Sequence, residues 1–176
     1  GQYGPIEEIP LGDIRHQFEV NVFGLIRMCQ LVLPGMRRAG RGRIINVSSI
    51  AGEITQPGGG IYHATKHAVE AVDATLRLEV SSFNIHVIGI LPGLVASRFN
   101  DFAMANIPDT GRESPYFAFK DNLKQATRKM FEPGGAGVLE PEDVARVIID
   151  AARAERPNAN YYVGLMSKVL SVLHTL

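Results

Sequence analysis

The chain has 176 residues, 45% apolar and 20% charged, with 18 basic and 18 acidic side chains and therefore no formal net charge. That length buries a sizeable core and the composition is ordinary for a globular protein, so general disorder is excluded. The neutral balance removes the bulk electrostatic case for nucleic acid or an anionic membrane as partner, and Cys29, the single cysteine, cannot close an intrachain disulfide, which makes a reducing, cytoplasmic compartment the expectation.

Leu11 to Ala39 reads as one long helix, with Pro34-Gly35 as an early stopping point. Its apolar stripe Phe18, Val22, Leu25, Cys29, Val32 and Met36 is spaced by four and three, which makes Cys29 a core residue rather than a nucleophile. Arg37, Arg38, Arg41 and Arg43 follow the helix end, where cations complement the dipole and face water. Ile44, Ile45 and Val47 form a β-branched run between glycine and serine, so Arg43 to Ser48 reads as a buried strand with Ser48 and Ser49 at its carboxyl end. Polar residues there lie where open α/β sheets bind ligands. A second helix spans Ile61 to Phe83, and Ala64, Ala68 and Ala71 keep one side of it slim enough for close helix packing. Asn84 to Leu91 is the next strand, stopped by Pro92-Gly93; two strands joined through a helix imply a right-handed parallel crossover. Helices follow at Phe99 to Ala105, Tyr116 to Phe131 and Pro141 to Ala154, the last with Glu142 and Asp143 in its first turn. Asn160 to Val163 closes the series as a short strand.

The most informative pair is Tyr62 and Lys66 in I-Y-H-A-T-K-H-A-V, thirteen residues after the serine pair of N-V-S-S-I-A-G. In a helix, a spacing of four places phenol and ammonium on one face, with Cβ atoms about 5–6 Å apart. A free phenol has a pKa of about 10 and takes a proton back poorly at neutral pH. Opposite charges about 4 Å apart at an effective dielectric near 20 attract by roughly 4 kcal/mol, enough to lower that pKa by roughly two to three units. Tyr62 is thereby expected to approach the range of a general acid/base. A serine hydroxyl at the end of the strand is placed to hydrogen-bond a substrate oxygen beside it.

With F-E-V-N-V-F-G (18–24), N-V-S-S-I-A-G (46–52), Y-H-A-T-K (62–66) and L-P-G-L-V-A-S (91–97) in this order and spacing, the chain resembles the short-chain dehydrogenase/reductase family. The resemblance covers the carboxyl-terminal two thirds of a family member. It implies an α/β fold, a three-layer Rossmann-like parallel sheet with helices on both faces, of which the strands found here would be the last three and the amino-terminal half is absent. Residues 1–176 would form a single partial domain, the catalytic half, with a substrate lid over about 98–132. The resemblance further implies Tyr62 as proton donor and acceptor, Lys66 lowering its pKa and holding the nicotinamide ribose, Ser49 orienting the reacting oxygen and Asn21 holding a water in the relay. Pro92, Gly93, Val95 and Ser97 would join Tyr62 and Lys66 in binding NAD or NADP, and Ser49, Gln56, Tyr62 and Leu94 would meet the substrate. Ser97 stands where the family usually has threonine and keeps the hydroxyl. The glycine-rich turn that binds the pyrophosphate is not found in this sequence; Gly58 to Gly60 and Gly134 to Gly137 do not follow a strand and open a helix, so they read as loops. Arg43 to Ser48 would then be an open apolar edge inviting other chains. The two long helices are expected to pair a homodimer or homotetramer, as they often do in the family.

Between Arg98 and Glu132 lie Phe99, Phe102, Met104, Ile107, Tyr116, Phe117, Phe119, Met130 and Phe131. An apolar lid suits an apolar alcohol or carbonyl substrate, and this region and the tail R-P-N-A-N-Y-Y-V-G resemble the hydroxysteroid and retinol dehydrogenase branch. No metal is expected: His63 and His67 have a zinc-like spacing but lack H-E-x-x-H and a third ligand. N-V-S-S-I also lacks the G-x-S-x-G turn of a serine hydrolase. The expectation is an NAD(P)-dependent oxidoreductase interconverting an alcohol and a ketone or aldehyde. The alternative is a truncated, non-catalytic family fragment that acts as a binding or oligomerisation module.

Overall fold

The computed structural model of the chain describes residues 1–132 and 135–174. Its centre is β2 (Ile85–Pro92), hydrogen-bonded in parallel to β1 (Gly42–Val47) on one side and to β3 (Asn160–Val163) on the other. Successive strand residues point to opposite faces, so the run I-H-V-I-G-I-L-P feeds two cores at once. Ile85 and Val87 meet Cys29, Ile44 and Val80 on one face, while Ile88 and Ile90 meet Val144, Ala151 and Val163 on the other. A strand covered on both faces reads as continuous apolar sequence, which is why this segment shows no polar alternation.

The first face is covered by α2 (Gly24–Ala39) and α3 (Gly60–Val80); α1 (Leu11–Phe18) leads into α2 through a π-helical segment at Glu19–Phe23 and packs against α3. The opposite face carries α6 (Pro141–Arg153), while α4 (Phe99–Ala105) and α5 (Phe117–Met130) lie between β2 and α6 in the chain, and α7 (Leu165–His174) follows β3. This is the three-layer arrangement of a parallel sheet with helices on both sides.

Several expectations need correction. Pro34 sits inside α2 and does not stop it; the helix runs on to a left-handed Gly40. The π turn absorbs an extra residue within the run and carries Asn21, a feature associated with functional sites. On the apolar stripe Val32 is exposed, and Leu33 packs against the core instead. Arg43 does not simply face water: its guanidinium donates to the carbonyls of Ala151, at 3.0 Å, and of Ala152 and Ala154, capping the carboxyl end of α6. Cations are favoured there because the last carbonyls of a helix lack intrahelical partners. Asn84 is not strand but a left-handed residue (φ 55°) before β2. Finally, α7 lies beyond the last expected strand; its Ser167 is buried, with the hydroxyl donating to the Leu91 carbonyl at 2.7 Å, while Leu165 and Val169 are exposed.

Candidate active site

The site begins where β1 ends. Ser48 continues the ladder through its N–H to the Ile90 carbonyl (2.8 Å), and Ser49 then turns the chain into a short 3-10 segment, Ile50–Gly52. The Ser49 hydroxyl accepts from the Ala51 N–H at 3.1 Å, which fixes its rotamer at the mouth of the sheet. Gly52 is required by close approach: a Cβ there would lie 2.8 Å from Glu70 Cγ and 3.0 Å from the Lys66 carbonyl. The glycine lets the serine turn press directly on α3, which starts at Gly60 and presents Tyr62 on its first turn.

Tyr62 is 9% exposed. Its ring stacks on Tyr3 with centroids 5.9 Å apart and lies 5.1 Å from the Phe99 ring. Lys66 Nζ stands 5.9 Å from the centre of the phenol ring and donates to the Val47 carbonyl at 2.9 Å. Burial therefore outweighs pairing: it pushes the Tyr62 phenol above its ordinary range, with the Ser49 hydroxyl acting in the opposite sense. The expected depression by Lys66 is not found in this geometry, because the ammonium is spent on a backbone carbonyl over the ring face. Burial likewise pulls the Lys66 ammonium down, against the fields of Glu70 and Asp73.

Beneath Lys66 lies a polar group that motif reading missed. Asp73 is 0% exposed, and one carboxylate oxygen accepts from Asn46 Nδ2 at 2.5 Å. Burial raises this carboxyl to about 6, opposed by the Asn46 bond. Asn46 precedes Val47, so the strand end that anchors Lys66 is tied to α3 on both flanks. On the other side of the site, Asn21 Nδ2 donates to Thr65 Oγ1 at 3.1 Å, linking the π turn to α3.

Two cavities meet at Tyr62. The first, about 490 Å³, is mostly apolar and is lined by Ser49, Gln56, Tyr62, Pro92, Gly93, Leu94, Val95 and Ser97 from the sequence-derived set. It also takes in Tyr3, His63, Phe99, Met130 and Phe131, and Met166 and Leu170 from α7. The second, about 730 Å³, holds Asn21, Tyr62 and Lys66 with Asp13, His16, Gln17 and Asn106. Every sequence-derived site residue thus lines one cavity or the other, and Tyr62 lines both. Of the lid aromatics, Phe99 and Phe131 reach the first cavity; Phe102 and Phe117 are exposed, and Tyr116 donates to Glu7 at 2.6 Å. His63 Nδ1 lies 2.5 Å from the Ile54 carbonyl and His67 Nδ1 2.9 Å from the His63 carbonyl, so both rings are engaged with backbone. Among the described residues no group of three metal-ligating side chains forms, and no helix is long and apolar enough to cross a membrane.

Residues 1–107 match the family model of short chain dehydrogenases. A probable short-chain type dehydrogenase/reductase VdlC from Helicobacter pylori is 34% identical over 176 residues, covering all of this chain and 63% of that protein. Human retinol dehydrogenase 8 is 30% identical over 181 residues, covering 100% and 57%. Among solved structures, the closed form of a serine dehydrogenase complexed with NADP+ superposes with a TM-score of 0.76 at 24% identity, covering 95% of this chain and 62% of that one. The chain therefore spans about three fifths of the length of the relatives it matches.

Proposed function

The chain belongs to the short-chain dehydrogenase family, and from that premise we propose that it carries the proton-transfer and substrate-binding part of an NAD(P)-dependent oxidoreductase acting between an apolar alcohol and its ketone or aldehyde. The observation that carries this reading is the position of Tyr62 as the shared wall of an apolar cavity and a polar one. A reacting oxygen in the apolar cavity meets the Ser49 hydroxyl and the Tyr62 phenol together. Ser49 orients that oxygen, and Tyr62 gives it a proton on reduction or takes one on oxidation. A bound nicotinamide would supply the hydride on reduction and accept it on oxidation. The residues present fit its ribose and carboxamide end: Lys66 offers ammonium donors, Ser97 a hydroxyl at the rim and Pro92, Gly93 and Val95 a close wall. Asn21, tied to Thr65, is assigned to hold the relay on the polar side.

A phenol raised by burial is a reluctant acid and base, so Tyr62 works only with a charge beside its hydroxyl. Lys66 provides it once its ammonium turns from the Val47 carbonyl towards the oxygen; both side chains line the second cavity. Residues 1–176 form one domain in this reading, with 98–132 as the lid. The serine dehydrogenase that superposes on this chain holds NADP+, which supports a nicotinamide dinucleotide as the coenzyme class. Steady-state oxidation of NADH and NADPH in the presence of long-chain ketones tests the proposal. Turnover with at least one coenzyme is expected once the chain is joined to the glycine-rich coenzyme-binding half of a relative, and its absence with both in that protein would overturn the reading.

One observation favours association as well. Val20 and Phe23 in the π segment, Met28 and Leu31 on α2 and Leu78 on α3 are each more than half exposed, and Val47 is half exposed at the edge of the sheet. Burying such apolar surface is favourable, and it supports a homodimer or homotetramer through the two long helical stretches, 11–39 and 61–83. A purely binding or oligomerisation role would keep that face and dispense with the alignment of Ser49 and Tyr62.

A further inference from the structure

The lid helix α5 is amphipathic, and the stripe it turns inward is Lys120, Leu123 and Thr127. A lysine in that stripe is unexpected, since an apolar residue would bury there at lower cost. Lys120 is 5% exposed, and its ammonium meets the Glu8 carboxylate at 2.7 Å. Glu8 also accepts from the Thr110 hydroxyl at 2.9 Å and from the Ser114 hydroxyl, while Lys120 donates in addition to Thr110. One carboxylate on the turn Ile6–Glu8 thus gathers three donors, all from the segment between α4 and the first turns of α5. One helical turn further on, Leu123 lies over Gly58, whose φ of +81° and absent Cβ leave room for it; a Cβ there would stand 2.5 Å from Leu123 Cδ2. From Lys120 the helix runs about 15 Å to Met130, and Met130 and Phe131 line the same apolar cavity as Tyr62 and Ser49.

A nearly buried ion pair is a weak net stabiliser but a demanding one, since it is satisfied in one register only and leaves an uncompensated charge when broken. An apolar contact would tolerate sliding. We propose that Glu8 is the positioning residue of the lid, docking α5 in the single register that holds Met130 and Phe131 over the cavity, so that it sets affinity for the apolar ligand without taking part in proton transfer. This rests on the assignment of that cavity to the substrate.

Hydrogen exchange and calorimetric titration of the chain with 2-decanone test it without requiring turnover. Glu8→Gln keeps an acceptor for Thr110 and Ser114 but removes the charge, and Lys120→Met removes the other partner. Each is expected to speed amide exchange in residues 117–131 about tenfold while leaving residues 85–92 within about twofold, and to raise the ketone Kd about tenfold. The double variant should add little to either single one, as expected for partners in one interaction. Unchanged exchange in the lid, a uniform rise that includes residues 85–92, or an unchanged Kd would each overturn the proposal. Turnover is scored separately, on the chain joined to a relative's coenzyme-binding half: a lid that loosens as described in a protein that oxidises neither coenzyme would refute the assigned reaction and leave Glu8 as the dock.

Discussion

Tyr62 and Lys120 each turn inward from a helix beside the same cavity, yet they are fixed by different means. Tyr62 is clamped between the rings of Tyr3 and Phe99, and its neighbours Ser49 and Lys66 are held by backbone groups only a few residues from the serine turn. Lys120 is held by a carboxylate 112 residues away in the chain. A site floor built from local backbone contacts stays in place when one side chain changes, whereas a lid docked on a single charge pair has one register and one point of release. Changes in the floor should accordingly appear in the rate, and changes in the dock should appear in affinity.

The sharpest challenge to this contrast is Lys66→Met. Turnover is expected to fall by about 10²- to 10³-fold, the range of assisted proton transfer, with the apolar ligand bound as before; steady-state kinetics beside a ligand titration would check it, and a loss under about fivefold would count against the floor as described. A second change probes what the floor costs. The Asp73 carboxyl binds its proton more tightly folded, at about 6, than at its ordinary 3.8. Its contribution to stability is therefore present below pH 3.8 and lost as the pH rises through about 6. Integrated, that is about 3 kcal/mol at neutral pH. Asp73→Asn should remove it, melting higher than wild type at pH 7 and equally near pH 4. Thermal unfolding across that range decides the matter, and a variant less stable at pH 7 would show that Asn46 needs the charge. The smallest effect is expected far from both regions: Arg43→Met strips the cap from α6 and should cost about 1–2 kcal/mol with turnover unaltered, measured by denaturant unfolding beside kinetics.

What could be read from the residues divides along the same line. Strands β1 and β2 and helix α3, with Ser49, Tyr62 and Lys66 upon them, rest on short-range pattern: a β-branched run ending in serine, a spacing of four, a Pro-Gly stop; the rest of the cavity-lining set, Asn21, Gln56, Pro92, Gly93, Leu94, Val95 and Ser97, follows only from the resemblance of the four ordered motifs to the family. The π turn at Asn21 has no such signature, since one extra residue in a helix leaves its composition unchanged. The Glu8–Lys120 dock, the Arg43 cap and the Asn46–Asp73 bond join positions 27 to 112 residues apart, and nothing local in the sequence marks either partner. The field of Lys66 at Tyr62 lies beyond local spacing for a related reason. Helical spacing sets where the Cβ atoms lie, but the long lysine stem carries its charge to the Val47 carbonyl, and burial then decides the sign.

Tyr62→Phe removes one oxygen from the wall between the two cavities and leaves the ring packing on Tyr3 and Phe99. Steady-state turnover of this variant, measured beside its melting temperature and its affinity for 2-decanone, should fall by about 10³-fold with the other two quantities unchanged. Retention of about a tenth or more of wild-type turnover would contradict the assignment of proton exchange to Tyr62.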